Sequence, residues 1–169
     1  MEKIINKLIE NNKTISTMES CTGGCLVNEI TNIHNSSKVL KFSAITYSNE
    51  FKEKMGVSNN TIDNYGVYSI ETAIEMSKVI SNYANSDYGI GITGTLNDID
   101  PENITTNDNL VYISIYSKDT NNYYTKVLVV NKDTRQNQKY QEITEVKKIL
   151  LNLLQINKIK VFYKRGVLW

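Results

Sequence analysis

The chain predicts an α/β fold: a single three-layer-like domain with a mixed β-sheet flanked by helices. Three observations lead there. Apolar residues at helical spacing alternate along the chain with short β-prone runs. The resulting order is α-β-α-β-α-α-β, then a β hairpin, then a long helix. The length of 169 residues suits one domain, and a chain of that size buries about 70% of its unfolded surface without needing a disulfide or a metal to fold.

Each element has a local cause. Ile4, Ile5, Leu8 and Ile9 recur at helical spacing, so residues 2–11 form a first helix that Asn11-Asn12 ends. Residues 14–19 are a β-prone run. Residues 22–33 read as a helix burying Leu26, Val27 and Ile30, and Asn35-Ser36-Ser37 is a turn. Residues 39–47 are a second strand. Ser48-Asn49-Glu50 caps a short helix that reaches Met55 and closes at Gly56. Residues 58–65 are a polar short helix or turn. Ser69 begins a helix with Glu71 in its first turn and Ile70, Ile74, Ser77, Ile80 and Ala84 on its inner face. Residues 88–93 are a third strand, and Gly89 and Gly91 predict that another element passes close by. Residues 94–109 form a polar loop, long enough to suggest a function or disorder. Residues 110–116 and 123–130 alternate as the strands of a hairpin. Residues 134–157 are the last helix, with Ile143, Val146, Leu150, Leu153 and Leu154 inward. The domain is expected to span 1–157. Residues 158–169 follow as a basic, aromatic tail that packs on the domain or on a neighbouring subunit.

Composition narrows the function. The 19 basic and 18 acidic residues nearly cancel, to +1, which argues against a general nucleic-acid binder. No apolar run reaches the ~18 residues of a membrane span, and the start, Met1-Glu2-Lys3-Ile4-Ile5, lacks the apolar core of a signal peptide. Cys21 and Cys25 lie one helical turn apart, a spacing that fits neither a disulfide framework nor a paired zinc motif. A reducing cytoplasm is the expected setting. Abundant Asn and Ile read as the compositional habit of an AT-rich genome.

His34 is the only histidine and lies in a polar turn. A Ser-His-Asp triad would have to use it, no Asp/Glu cluster has metal-ligand spacing, and no glycine-rich P-loop with its lysine occurs. Chemistry points instead to residues 15–24, a strand, a tight turn and a helix start. Free amides and a positive helix end at such a turn favour an anion, either a substrate phosphate or a developing oxyanion. Ser20 and Thr22 bring hydroxyls to the same turn and Cys21 a thiol. Ser20 is the candidate nucleophile. Cys21 is a rival, since a helix N-terminus lowers a thiol pKa, unless it is buried and inert. Without histidine the base must be another group, and Lys52 is a candidate, because Ser–Lys pairs are a known solution. A lysine serves as base only when neutral, which requires burial or a nearby cation. Tyr47, five residues earlier, is a candidate to relay a proton to a leaving amine.

Glu19-Ser20-Cys21-Thr22-Gly23-Gly24 followed by Thr46-Tyr47-Ser48-Asn49-Glu50-Phe51-Lys52 resembles the ESCTGG and YSNEAK signatures of the CinA C-terminal domain family. Active members of that family are nicotinamide-nucleotide amidohydrolases. Gly56-Val57, Tyr65-Gly66-Val67-Tyr68-Ser69, Ile92-Thr93-Gly94, Val111-Tyr112-Ile113 and Asp133-Thr134-Arg135 resemble further family segments, with Lys139 where a second arginine often sits. The resemblance covers about residues 2–156. It implies Ser20 as nucleophile, with Lys52, Tyr47 and a second serine, Ser36 or by preference Ser37, as catalytic partners. It also implies Arg135 as a phosphate anchor, and Thr22, Gly23, Gly24, Thr93 and Gly94 as substrate-binding positions. The implied reaction is deamidation of nicotinamide mononucleotide to nicotinate mononucleotide and ammonia, with no cofactor and no metal. The implied protein is a stand-alone cytoplasmic homo-oligomer whose partner is a small nucleotide, not nucleic acid or a membrane.

The chain departs from the family where TGIAGPxGG is expected: Thr93-Gly94 is followed by Thr95-Leu96-Asn97-Asp98. Thr106-Asn107-Asp108-Asn109 replaces a KPVG segment, and Lys132 precedes Asp133 where a glycine is usual. Two alternatives therefore stand beside the deamidase: a nucleotide-binding or interaction module that does not hydrolyse, and a hydrolase of a different amide.

Overall fold

A computed structural model describes residues 1–97, 103 and 109–165. The elements are α1 (Glu2–Glu10), β1 (Ile15–Glu19), α2 (Cys25–Thr31), a 3₁₀ turn (Ser36–Lys38), β2 (Leu40–Ile45), α3 (Asn49–Lys54), α4 (Asn59–Tyr65), α5 (Ile70–Ala84), β3 (Tyr88–Gly94), β4 (Leu110–Ser117), β5 (Asn122–Val129) and α6 (Arg135–Arg165). The sheet order is β2-β1-β3-β4-β5. β1 runs parallel to β2 and β3, and β4 and β5 are antiparallel. The predicted mixed sheet is thus what forms.

Alternation along the central strands sends opposite faces of the sheet into two cores. Ile15, Ile90, Ile92, Val111, Ile113 and Ile115 pack with Ile4, Ile5 and Leu8 of α1, Leu26 and Ile30 of α2, and the predicted apolar face of α6. On the other face Met18 meets Met76 and Ile80 of α5, with Val57 beside them. These are three layers: α1, α2 and α6, then the sheet, then α5 with α3 and α4. No described helix is long and apolar enough to cross a membrane.

Gly89 and Gly91 explain how α5 sits. A β carbon on Gly89 would lie 1.9 Å from the Ser77 carbonyl oxygen, and one on Gly91 2.4 Å from that of Ala73. The backbone of α5 rides directly on β3, as those glycines predict. This close approach also corrects the expected face of the helix. Thr72, Ala73, Met76, Ser77, Ile80 and Ser81 are buried, while Ile70, Ile74 and Ala84 are only partly so. Ala73, Ser77 and Ser81 share that face with Met76 and Ile80, and are small where the helix backbone runs closest to β3.

Other differences concern helix ends. α2 starts at Cys25, not at Thr22, because Gly23 and Gly24 hold left-handed backbone with φ of +58° and +91°. α6 does not stop near Asn157 but runs to Arg165. The segment between contains neither Gly nor Pro, and Gly166 is the first residue that would break a helix. The expected tail is therefore helical backbone over most of its length. The loop expected at 94–109 lies largely outside the described residues. Asn12, Asn35, Asn85, Asn97, Asn109 and Asn121 all take positive φ, so part of the asparagine excess has a structural use. Asparagine adopts this left-handed conformation more readily than other non-glycine residues.

Candidate active site

The chain leaves β1 for β2 on one side and returns to β3 on the other. The carboxyl ends of parallel strands at such a reversal form a crevice where ligands bind in open α/β sheets. Ser20 follows β1 directly, Thr46 and Tyr47 follow β2, and Thr93-Gly94 close β3. Three separate stretches of sequence therefore meet at one edge.

Ser20 is held at its backbone by its N–H donating to the Ile92 carbonyl at 3.0 Å, and neighbouring Thr46 N–H donates to Glu19 O at 2.8 Å. The two bonds extend the parallel pairing one residue past β1 and one residue past β2. α3 brings Lys52 to this point. Ser48 caps that helix, its Oγ accepting from the Phe51 N–H at 3.4 Å, and Lys52 is turned inward rather than to solvent. Lys52 is 1% exposed and Ser20 5%. Lys52 Nζ donates to Ser20 Oγ at 3.2 Å and to the Thr46 carbonyl at 2.9 Å. A lysine ammonium or amine buried on a serine hydroxyl is not the solvated helix lysine that composition alone would suggest.

The turn itself is used differently from the expectation. Glu19 is fully buried, and its carboxyl caps α2. Oε2 accepts from the amides of Gly24 at 3.1 Å and Leu26 at 3.0 Å, and Oε1 from Val27 at 2.8 Å. The Gly23 amide donates to Ser20 O and that of Cys25 to Thr22 O. The helix N-terminus therefore already holds an anion-type group from its own chain, and those amides are not free for a substrate phosphate. Nothing in the spacing of Glu19 within ESCTGG singled it out for this role.

Cys21 is not a nucleophile in this setting. It is buried, with Sγ donating to Glu142 Oε2 at 3.3 Å, and burial together with the nearby Glu142 carboxyl raises its thiol well above the usual range. Glu142 is likewise buried, its second oxygen lacks a hydrogen-bond partner among the described residues, and desolvation pushes its carboxyl up to about 8.

Arg135, at the start of α6, reaches the same edge. Its Nη1 donates to the Leu96 carbonyl at 2.6 Å and its Nη2 to the Tyr47 hydroxyl at 3.4 Å. One turn on, Lys139 Nζ lies 3.3 Å from where a β carbon on Gly23 would stand. Tyr47 is exposed, at 65%.

Comparison with known proteins identifies the family and the fold. The model of the CinA C-terminal domain family matches residues 1–154. The chain belongs to that family. A putative competence-damage inducible protein of Alkaliphilus metalliredigens is 43% identical over 118 residues, 68% of this chain and 28% of that protein. One from Thermoanaerobacter pseudethanolicus is 45% identical over 96 residues, 56% of this chain and 23% of that protein. The matched part is thus about a quarter of each relative's length. Among solved structures, a competence-damaged protein (CinA) superfamily protein from Escherichia coli superposes with a TM-score of 0.78 at 25% identity, covering 92% of this chain and 87% of that one. A competence or damage-inducible protein from Enterobacter asburiae gives 0.79 at 23% identity, covering 91% and 93%.

Within this CinA-family domain the structure brings Ser20, Lys52, Tyr47 and Arg135 to one edge, with Thr22 to Gly24 and Thr93-Gly94 beside them. Thr22 and Thr93 are buried, and Thr93 Oγ1 donates to the Val67 carbonyl at 2.8 Å. A β carbon on Gly94 would strike the Leu110 carbonyl oxygen at 2.4 Å, so that glycine serves the approach of β4. Ser37 is not brought to the site. It lies in the 3₁₀ turn before Leu40, which pairs with Ile15 at the opposite end of β1, so the five-residue length of the strand, about 16 Å, separates it from Ser20. Glu19, Gln138 and Glu142 were absent from the sequence-based site. All three are polar residues fully buried around it, a property that residue type and spacing do not reveal.

Proposed function

We propose that this domain is a nicotinamide mononucleotide deamidase, and that Ser20 and Lys52 carry the chemistry. The observation that supports the reading most is the buried Lys52–Ser20 hydrogen bond at 3.2 Å. Ser20 Oγ attacks the carboxamide carbon of the nicotinamide ring while Lys52, neutral at that moment, takes the hydroxyl proton. The C–N bond then breaks and ammonia leaves with a proton delivered by Lys52 or Tyr47. The resulting ester on Ser20 is hydrolysed by water, whose proton passes to Lys52 as Ser20 is released and nicotinate mononucleotide forms. No cofactor or metal enters these steps.

Because Glu19 occupies the α2 N-terminus, the substrate phosphate falls to Arg135, beside Tyr47, and to Lys139, one helical turn on and beside Gly23. Arg135 suits the task, since a guanidinium pairs with phosphate oxygens in a fixed fork. Family membership supports the reading, and a cytoplasmic homo-oligomer acting on a small nucleotide, without nucleic acid or membrane, is its natural setting. Incubating the purified protein with nicotinamide mononucleotide and measuring ammonia tests it. Turnover that disappears in Ser20→Ala supports it. Thermal stabilisation by the mononucleotide without ammonia release points instead to a binding module, and release only from other small amides points to a different substrate.

A further inference from the structure

One buried side chain of α6 has no part in the chemistry above. Gln138 is fully buried, in the first turn of the helix, three residues after Arg135. Its Nε2 donates to Asn97 Oδ1 at 2.9 Å and to Asn109 Oδ1 at 2.8 Å, with a longer contact to the Asn131 carbonyl at 3.3 Å. Asn97 lies three residues after β3 and Asn109 immediately before β4. The two also bond to each other, the Asn97 N–H donating to Asn109 Oδ1 at 2.9 Å. Asn97 Nδ2 donates to the Asp133 carbonyl at 2.6 Å, and the Val130 N–H donates to Asn109 O at 2.9 Å. One amide thus clips together the exit of β3, the entry of β4, the exit of β5 and the start of α6.

The clip leads to the candidate site by one step. Leu96, next to Asn97, accepts from Arg135 Nη1, and Arg135 Nη2 reaches the Tyr47 hydroxyl. Asn97 and Asn109 both hold left-handed backbone, with φ of +61° and +62°. Asparagine tolerates that conformation, and the side-chain bonds hold each turn in it. An amide suits the position. Its NH₂ offers two donors to two asparagine oxygens, whereas a carboxylate there would face both oxygens without a proton to offer. None of these bonds touches Ser20 or Lys52.

We infer that Gln138 is a positioning residue for substrate binding: by tying Asn97 to Asn109 it holds Leu96 and Arg135 against Tyr47, and so sets substrate affinity while leaving bond cleavage to Ser20 and Lys52. The inference rests on the amidohydrolase reading for its substrate. It separates from a merely structural role because it acts on KM and not on kcat.

The test uses the full chain with nicotinamide mononucleotide as probe. Steady-state kinetics of the wild type, Gln138→Ala and Asn97→Gly are measured. Asn97→Gly keeps the left-handed turn and removes only the side-chain bonds, so it serves if Gln138→Ala fails to fold. Calorimetric binding of the same nucleotide to Ser20→Ala, with and without Asn97→Gly, reads affinity without turnover. A KM raised about tenfold or more with kcat within about threefold, matched by an equal loss of affinity, supports the inference. A double variant combining Gln138→Ala with Asn97→Gly should be little worse than either single one, because both remove the same clip. Unchanged KM and affinity in a folded variant, or a fall in kcat alone, overturns it while leaving the deamidase reading intact. A wild type that neither hydrolyses nor binds the nucleotide overturns both.

Discussion

Lys52 Nζ lies 3.2 Å from Ser20 Oγ, with both residues buried and the Thr46 carbonyl accepting from the same amine at 2.9 Å. This relationship makes the first prediction sharp. If Lys52 is the base, its proton-accepting state matters and not its charge. Ser20→Ala and Lys52→Met should each lower ammonia release by at least about 10³-fold, the scale on which a nucleophile or its base is lost. Lys52→Arg should be equally inert, because a guanidinium stays protonated at any accessible pH. Retention of a tenth or more of wild-type activity by Lys52→Arg would remove Lys52 from the role of base.

The Arg135–Lys139 pair carries the second prediction. If these cations hold the phosphate, Arg135→Ala and Lys139→Ala should raise KM for nicotinamide mononucleotide by about 10-fold to 100-fold with a smaller change in kcat. The dephosphorylated riboside is the control. It should be a poor substrate for the wild type and lose little more in either variant. Parallel losses for nucleotide and riboside would show that the cations act on something other than the phosphate.

The layered fold and its sheet were legible in the chain because periodicity reports which way side chains face, and every described helix and strand was anticipated. The nucleophile turn was legible for a different reason. Ser20, Tyr47 and Lys52 lie in two short segments whose residue types and spacing are unusual together. What could not be read was burial of polar groups by distant elements. Glu19 caps α2 across the turn, and Glu142 reaches Cys21 from 121 residues away. Neither bond has a local signal. The α5 face was read correctly at Ser77 and Ile80 and misread at Ile70, Ile74 and Ala84, because helical periodicity locates apolar residues, while the close approach to Gly89 and Gly91 also buries small ones such as Ala73 and Ser81. Ser37 was carried to the site by motif position alone, and the parallel register of β1 and β2 puts it at the other end of the sheet.

Glu19 gives the third prediction, one of stability. Its carboxyl is the acceptor for the Gly24, Leu26 and Val27 amides. Glu19→Ala leaves those donors without an acceptor in a half-buried turn, which should cost about 1–3 kcal/mol. Glu19→Gln keeps one oxygen able to accept two of the bonds and should fall between. Urea denaturation of the three proteins measures this. A loss below about 0.5 kcal/mol in Glu19→Ala would mean that the turn holds its shape without the cap.

Glu142 gives the fourth, and its sign follows from linkage. Its carboxyl titrates at about 8 in the folded chain, against 4.5 as the ordinary value, chiefly because it is buried; the Cys21 bond and the Lys139 charge oppose that shift without overcoming it. Below 4.5 both folded and unfolded chains hold the proton, so Glu142 adds no slope there. Between 4.5 and about 8 only the folded chain holds it, so stability from this residue falls as pH rises, by about 1.4 kcal/mol per unit. Above the folded value both states are ionised and the slope vanishes. Glu142→Gln cannot titrate, yet its side-chain oxygen can still accept from Cys21. Thermal melts across the range should therefore show the wild type losing stability towards alkaline pH more steeply than the variant, with Glu142→Gln the more stable protein above pH 8. Parallel curves for the two proteins would mean that Glu142 is ionised in the folded chain at neutral pH, and that the carboxyl behind Cys21 is stabilised by a charge stronger than Lys139 alone.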